Sequence, residues 1–349
     1  MRFEDNEVYS RPSSKNFTIM KLISQPSSRE LRLMVQCLEL YYRQARSQKD
    51  IAKALGVSAA TVSRLLKRAF DEGFVRVELD LPRTEGLETA LAQAYGLREA
   101  IVVVAGGRGD LKAELGAAAA VYFEKIARNG MRIGLSCGFT LYQTIRALRE
   151  RRLRDLSLYP LSGESTLELV DLFPNTLVGM MAAKYRPHVR AYALPVQHLL
   201  SLREIERERK RLLRDPEIRS IFEAAQSVDI ALCGIGLIAD DTPGFCALAE
   251  SYGVSVKRLR QLGVVGEINY QPFDAEGRIV DRPELRALMH RVLSVEGERL
   301  RALSRRDDRY VIAVAGGRSK VDAVRGALRG RLMNVLVTDE DCARGLLSR

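Results

Sequence analysis

The chain has 349 residues, a hydrophobic fraction of 46% and a formal net charge of +11. This length favours two domains, and the hydrophobic fraction is enough to give them real cores. There is no apolar run long enough to span a membrane, the first residues lack the apolar core of a signal peptide, and the five cysteines show no paired spacing. These properties exclude a disulfide scaffold and a zinc cluster. They predict a cytoplasmic protein with no membrane partner, no metal and no cofactor.

A basic segment lies in the first quarter of the chain. Residues 43–76 contain eight Lys or Arg against three Asp or Glu, which indicates a polyanionic partner. Apolar residues recur at helical spacing on both sides of Gly56, which predicts two helices joined by a sharp turn. Ala52 is small enough to let the two backbones approach, and Val62 fills the angle between them. This is the pattern of a helix-turn-helix.

The outer face of the second predicted helix carries small, polar and basic residues. Such a face fits the major groove of double-stranded DNA, with Arg64 at a guanine edge and Lys67 and Arg68 at phosphates. The run at 27–44 supplies a preceding helix, and the alternating run after Gly73 predicts a strand that forms a wing. The alternative is an ordinary helical hairpin with a solvated basic face. The predicted DNA-binding residues are Ser58, Ala59, Ala60, Thr61, Ser63, Arg64, Lys67 and Arg68.

Composition and pattern divide the chain into regions. Residues 1–26 are predicted to be a disordered tail, residues 27–82 a winged helix-turn-helix, and residues 87–349 a second domain. In the second domain, apolar runs at 100–105, 131–135, 156–161, 190–194, 228–233, 263–265, 310–315 and 334–337 alternate with helical segments such as 110–128, 140–151 and 320–329. This alternation predicts an α/β fold with a parallel sheet covered on both faces, which is a Rossmann-like architecture.

Four glycine-containing corners follow predicted strands of the second domain. Because ligands of parallel α/β sheets bind at the carboxyl ends of the strands, these corners predict a binding rim. A helix start with free amides and a threonine hydroxyl also suits a phosphate group. The corners lie at 133–148, with Gly138 and Thr140; at 229–236; at 263–280, with Glu267 and Asn269; and at 311–320, with Gly316, Gly317 and Lys320.

None of these corners has the spacing of a known catalytic or nucleotide-binding motif. The AGGRSK run at 315–320 lacks the P-loop spacing, and neither AGGR copy is part of a dinucleotide fingerprint. Tight packing between a strand and a helix is the alternative reading of each corner. The near-copy AGGR at 105–108 is interpreted as a structural turn rather than a second binding site. Gly109 and Asp110 follow it, whereas Ser319 and Lys320 follow the later copy.

Five segments together resemble the SorC/DeoR-type family of sugar-responsive bacterial transcription regulators, over residues 28–349. They are KDIAKALGVSAATVSRLLKRA at 49–69, LSCGFTL at 135–141, DPEIRSIFEAAQSVDIALCGIG at 215–236, GVVGEINYQPFDAEGRIV at 263–280 and YVIAVAGGRSKVDAVRGALRGRLMNVLVTDEDCARGLL at 310–347. The resemblance implies a winged helix-turn-helix and an effector domain similar to sugar-phosphate isomerases. It also implies double-stranded operator DNA as a partner, a phosphorylated sugar or polyol as the effector, and a homo-oligomer, namely a tetramer.

The resemblance also implies which positions contact the effector. Gly138 and Thr140 match the phosphate-side loop, and Lys320 matches the lysine of the last corner. Glu267 stands where many members have a Gly-Asp pair, and its extra methylene moves the carboxylate by more than ~1 Å. A Schiff base with an open-chain aldose and a solvated cation are the alternatives for Lys320. The predicted effector-binding residues are Ser136, Cys137, Gly138, Phe139, Thr140, Gln197, Glu267, Asn269, Gly316, Gly317 and Lys320.

The predicted function is therefore a DNA-binding regulator of a carbohydrate or polyol catabolic operon, controlled by a small molecule. The alternative is a sugar-phosphate isomerase or deaminase with an attached DNA-binding domain. Such an enzyme needs a base next to the substrate carbon. The corners offer Glu267 as a base, but no histidine or second carboxylate is convincingly paired with it in the sequence. No catalytic residue is therefore predicted.

Overall fold

The computed structural model describes residues 17–19, 29–44, 46–71, 74–77, 85–104, 110–149, 153–165, 172–197, 202–240, 244–291 and 293–348. The chain separates into two compact units, residues 1–82 and residues 83–349. Of the predicted tail at 1–26, the structure describes residues 17–19, which form a strand. The remainder of that tail lies outside the described residues.

The helices of the two units are α1 (Arg29–Leu38), α2 (Gln48–Leu55), α3 (Ala59–Asp71), α4 (Glu85–Tyr95), α5 (Leu111–Ile126), α6 (Phe139–Ala147), α7 (Pro174–Tyr185), α8 (Leu202–Leu212), α9 (Pro216–Ala225), α10 (Phe245–Ser251), α11 (Val256–Gln261), α12 (Pro283–Arg291), α13 (Gly297–Ser304), α14 (Val321–Arg329) and α15 (Glu340–Leu347). The strands are β1 (Phe17–Ile19), β2 (Val75–Val77), β3 (Glu99–Val103), β4 (Arg132–Leu135), β5 (Leu156–Pro160), β6 (Glu164–Ser165), β7 (Val189–Ala191), β8 (Val196–Gln197), β9 (Ile230–Gly234), β10 (Gly236–Leu237), β11 (Gly266–Ile268), β12 (Gln271–Phe273), β13 (Tyr310–Val314) and β14 (Val335–Asp339).

The first unit is built from α1, α2 and α3, with β1 and β2 paired antiparallel. The side chain of Ser47 caps α2 by accepting a hydrogen bond from the Asp50 amide at 3.1 Å. Gly56 ends that helix with a φ of 65°, a left-handed conformation that suits glycine. The apolar faces of the three helices form one core, which contains Met34, Cys37, Leu38, Ile51, Ala52, Val62, Leu65, Leu66 and Ala69. The predicted helix-turn-helix is confirmed.

The second unit is organised around a seven-stranded parallel sheet with the order β3-β14-β13-β9-β4-β5-β7. Alternate residues of each strand face opposite sides, as β13 shows. Val311 and Ala313 join the apolar core on one side, whereas Ile312 and Val314 join the core on the other. Both faces are therefore buried, which explains why the strands read as continuous apolar runs. The predicted parallel α/β architecture is confirmed.

One predicted strand is displaced. The run at 263–265 was expected to be a strand of the main sheet, but the structure places β11 at Gly266–Ile268, in a separate antiparallel sheet with the order β10-β11-β12. Gly263, with a φ of 81°, ends the turn that follows α11. Asn269 and Tyr270 then connect β11 to β12 with φ values of 51° and 62°, the conformation of a tight two-residue hairpin turn. The turns at Gly263 and at Asn269–Tyr270 thus decide where the strand lies, rather than the apolar run at 263–265.

The order in which strands are added to the sheet reverses between β4 and β9, which are parallel neighbours. From β4 the chain continues to β5 and β7 on one side, and from β9 it continues to β13 and β14 on the other. The connections above these two strands diverge, and such a switch point leaves a crevice at the carboxyl ends. The fold itself therefore positions a ligand site between the segments that follow β4 and β9.

The sheet ends at β3, which pairs with β14 along one side. On its other side, the Val102 amide donates a hydrogen bond to the carboxylate of Glu88, on α4, at 2.9 Å. A side chain thus satisfies a backbone donor that a further strand would otherwise take.

Candidate functional site

A cavity of about 250 Å³ occupies the crevice at the switch point. Its wall includes residues 136–141, which follow β4, and residues 234–237, which follow β9. Lys320, beyond the end of β13, and the β11–β12 hairpin close it from two further directions. Three of the four predicted corners and the Lys320 end of the fourth thus meet at one place, which agrees with the expectation for the carboxyl edge of a parallel sheet.

The N-terminus of α6 forms one wall of the cavity. Gly138 caps this helix with a φ of 123°, a conformation that L side chains rarely adopt. Its carbonyl accepts the first helical hydrogen bond, from the Tyr142 amide at 3.0 Å, so the three amides of 139–141 have no partner within the helix pattern. Free amides and the positive end of the helix dipole favour an anion at this wall.

Lys320 lies on a short 3-10 turn, Arg318–Lys320, that leads into α14. Its half-buried ammonium donates a hydrogen bond to the Ile235 carbonyl at 2.6 Å. Burial lowers the pKa of Lys320 below its ordinary value, the nearby Glu267 carboxylate opposes this shift, and the Lys112 ammonium adds to it. Lys320 is thus a cation held in place by the β9 end and directed at the cavity.

Glu267 lies in β11 directly opposite Gly236 of β10. One carboxylate oxygen accepts a hydrogen bond from the Tyr270 amide at 2.8 Å. The other oxygen lies 2.1 Å from where a Cβ atom on Gly236 would be, so the carboxylate rests against the glycine backbone. Only glycine at 236 leaves room for Glu267 in this position. The structure therefore holds a hydrogen-bond acceptor at the wall that faces Lys320 in the same cavity.

Ser136 and Asn269, which were predicted to contact an effector, line the cavity, and their side chains also bond to one another and to the backbone. The Ser136 hydroxyl donates to the side-chain oxygen of Asn269 at 2.8 Å. The Asn269 amide donates to the carbonyls of Leu161 and Val295 at 2.9 and 3.0 Å. Both side chains are 2% exposed. They lie on the wall of the cavity with all their side-chain donors already engaged, because buried polar groups are satisfied by hydrogen bonds.

The Gly316–Gly317 corner has a structural role. The Gly317 amide, predicted to face a ligand, donates to the buried carboxylate of Asp339. A Cβ atom at Gly316 would lie 2.2 Å from an oxygen of the same carboxylate. Asp339 also caps α15 by accepting from the Cys342 amide at 3.2 Å. Gly316 thus makes room for this carboxylate and Gly317 donates to it. Neither glycine is among the described residues that line the cavity.

Sequence reasoning missed Lys112, in the first turn of α5. It lines the cavity, and its ammonium lies 4.8 Å from the ring centroid of Phe139, a predicted residue that is 38% exposed. The near-copy AGGR at 105–108 lies outside the described residues, but Lys112 follows it by four positions. Each AGGR run is followed within a few positions by a lysine, and this shared pattern could have identified both Lys112 and Lys320.

The remaining predicted effector residues occupy different surroundings. Cys137 and Thr140 line the cavity beside the α6 N-terminus, and Cys137 is half-buried. Gln197 lies in β8, and its side chain is outside what the structure describes. Apolar residues such as Leu172 and Phe245 complete the wall; no pattern in the sequence distinguishes them from ordinary core.

The predicted DNA-binding face of α3 is exposed, as a groove-binding face must be. Ser58, Ala59, Ala60, Ser63, Arg64, Lys67 and Arg68 are exposed and Thr61 is half-buried. The Ser58 hydroxyl accepts from the Thr61 amide at 3.1 Å and so caps the helix. Arg68 forms an ion pair with Glu30 of α1 at 3.0 Å. Among the described residues Arg64 and Lys67 form no ion pair, which leaves them available for DNA.

The described residues offer neither a metal cluster nor a membrane-spanning helix. Within the described ranges, no three His, Cys, Asp or Glu side chains lie close enough to share a metal ion. In that same part of the chain, no helix has the length and apolar character needed to cross a membrane.

Comparison with known proteins places both units in context. The family of sugar-binding domains (Sugar-bind) matches residues 81–348, and sigma-70 region 4, a DNA-binding helical region, matches residues 34–72. The sorbitol operon regulator of Klebsiella pneumoniae is 29% identical over 92% of this chain and 99% of its own. The deoxyribonucleoside regulator of Bacillus subtilis is 29% identical over 91% and 97% of the two chains. Both relatives are named as regulators rather than enzymes.

Solved structures agree with these matches. The full-length sorbitol operon regulator SorC from Klebsiella pneumoniae superposes with a TM-score of 0.73 over 92% of this chain and all of that chain. A sor operon regulator from Shigella flexneri, 26% identical, superposes with a TM-score of 0.64 over 76% of this chain and 99% of its own. The chain therefore belongs to the SorC/DeoR-type family of sugar-binding, DNA-binding transcriptional regulators, and it is not an enzyme.

Proposed function

We propose that this regulator controls an operon for carbohydrate or polyol catabolism and that its effector is a phosphorylated sugar or polyol bound in the cavity at the switch point. The observation that carries the proposal is the convergence of the α6 N-terminus, the Lys320 ammonium and the Glu267 carboxylate on that one cavity. The first two groups suit a phosphate. The carboxylate suits hydroxyl groups, because an ionised carboxylate is an acceptor only.

The effector acts by linkage in this proposal. The protein is a homo-oligomer in this proposal, and family membership supports a tetramer. Two arrangements of the oligomer differ in operator affinity, and the effector binds one arrangement more tightly. The names of the relatives support small sugars and polyols as the class: sorbitol, deoxyribonucleosides and, for the 28% identical EryD protein of Brucella abortus, erythritol.

A thermal-shift screen with sugars, polyols and their phosphates tests the proposal. A ligand that binds only the folded chain raises the melting temperature by mass action. We expect a shift with a phosphorylated compound that is absent with its unphosphorylated counterpart. A shift with free sugars or polyols alone contradicts the phosphate assignment, and a screen without any shift contradicts the cavity as the effector site.

Gly236→Ala is expected to weaken binding of the effector found in that screen by about tenfold, because the new methyl group displaces the Glu267 carboxylate. Isothermal titration calorimetry measures the change. Gly179→Ala is the control: Gly179 lies on α7, is not among the described residues of the cavity wall, and a Cβ atom there meets nothing within 4 Å. Equal losses in the two variants would show that Glu267 does not select the ligand.

A further inference from the structure

We propose that Lys112 is a specificity-determining residue of the effector cavity, and that Lys112, Lys320 and the α6 N-terminus together select an effector that carries a doubly charged phosphate group. The inference rests on the proposed function and extends it to a residue that lies outside the four glycine-containing corners of the sequence. It also gives the site two phosphate-binding lysines instead of one.

The geometry places the Lys112 ammonium beside the wall that favours an anion. Asp110 caps α5 by accepting a hydrogen bond from the Lys112 amide at 3.0 Å, which fixes the backbone at the base of this side chain. The ammonium lies 4.8 Å from the centroid of the Phe139 ring. Phe139 is the first residue of α6, so its ring holds the lysine next to the free amides of that helix end.

The contact between the Lys112 ammonium and the Phe139 ring is weak enough for a ligand to replace the ring. A cation–π contact at an exposed site is weaker than a charge-assisted hydrogen bond to phosphate. Lys112 is exposed and forms no ion pair among the residues that the structure describes. A phosphate oxygen at the α6 N-terminus can thus replace the ring as the partner of the ammonium.

The charge balance of the cavity favours a dianion. Lys112 and Lys320 bring two positive charges to its wall and Glu267 brings one negative charge. The positive end of the α6 dipole adds to the excess. The two ammonium groups are close enough for Lys112 to disfavour the charged form of Lys320. A phosphate monoester, with a charge of about −1.5 to −2 at pH 7, removes this repulsion, whereas a neutral polyol does not.

Lys125, on the same helix, serves as a comparison because it lies outside the cavity wall and has a carboxylate partner. Its ammonium forms an ion pair with Glu99 at 3.0 Å and lies 5.7 Å from the Tyr122 ring. It combines an aromatic contact with a carboxylate partner, whereas Lys112 has the aromatic contact and a cavity. Lys125 is therefore the matched control for a charge-removing substitution on α5.

The test measures binding of inorganic phosphate to the full-length chain by phosphorus NMR titration at low ionic strength. We expect saturable binding to the unaltered chain and about tenfold weaker binding to Lys112→Gln. We expect unchanged binding to Lys125→Gln and largely retained binding to Lys112→Arg, which keeps the charge. Lys320→Ala locates the measured site, since a cavity phosphate must be weakened by that substitution as well.

The outcomes separate the inference from the proposed function. Saturable binding that is weakened by Lys320→Ala but not by Lys112→Gln overturns the role of Lys112 and leaves the proposed function standing. Absence of saturable phosphate binding to the unaltered chain overturns both. A loss in Lys112→Gln that Lys320→Ala does not share places the phosphate outside the cavity and also contradicts the inference. Melting temperatures of all variants confirm that each is folded.

Discussion

Arg64→Ala is expected to abolish specific retention of operator DNA while leaving effector binding intact. Arg64 is exposed on α3, next to the small residues of the helix start that let α3 approach the floor of the major groove. A bidentate contact between arginine and guanine contributes about 1–3 kcal/mol of discrimination. In the proposed homo-oligomer, each DNA-binding unit loses this contact, so the losses accumulate over one operator.

The measurement is a gel-shift titration with an operator selected in vitro from a random duplex library. Arg43→Ala is the control, because Arg43 belongs to the same unit but is held by Glu39 at 3.1 Å. Lys67→Ala is expected to weaken binding to all sequences alike and to reduce the dependence on salt, as a phosphate contact does. Protection of the same operator by Arg64→Ala would show that another face of the unit reads the bases.

Lys320→Ala is expected to remove the response to effector while operator binding is retained. The substitution deletes a cation that faces the cavity and is anchored to the Ile235 carbonyl. Loss of a charge-assisted hydrogen bond weakens binding by about 10- to 100-fold. The operator complex is expected to form as before, because the predicted DNA-binding face of α3 belongs to the other compact unit.

An effector titration of the preformed operator complex, followed by fluorescence anisotropy, measures this response. Lys257→Ala is the control: Lys257 is an exposed lysine on α11 and does not appear among the described residues of the cavity wall. A response in Lys320→Ala at the effector concentration that suffices for the unaltered chain would move the phosphate site away from this lysine.

The parts of the structure that sequence predicts are those in which burial alone decides the pattern. Val311 to Val314 are apolar at every position because both faces of β13 are covered, and such a run predicts a parallel strand. Val62 and Leu66 are spaced for one buried face of α3, so the opposite face is the outer one, which is the face predicted to bind DNA. The meeting of the corners follows from the common direction of the strands.

The parts that sequence did not predict depend on contacts between distant residues. Nothing near Gly316 reveals that Asp339, more than twenty positions later, needs the space beside it. The buried bonds of Asn269 to Leu161 and Val295 depend on how the hairpin docks. Lys112 reaches the cavity because α5 begins beside α6, which is a matter of helix packing.

The bond between Glu88 and the Val102 amide has a consequence for how copies of this chain can associate. An open strand edge is a template for β-sheet growth, and native proteins block such edges to avoid aggregation. The Glu88 carboxylate occupies a donor that an intruding strand would need and places a negative charge beside the remaining edge. In the proposed homo-oligomer, copies of this chain are thus steered away from a continuous sheet across β3 and toward contacts between side-chain surfaces.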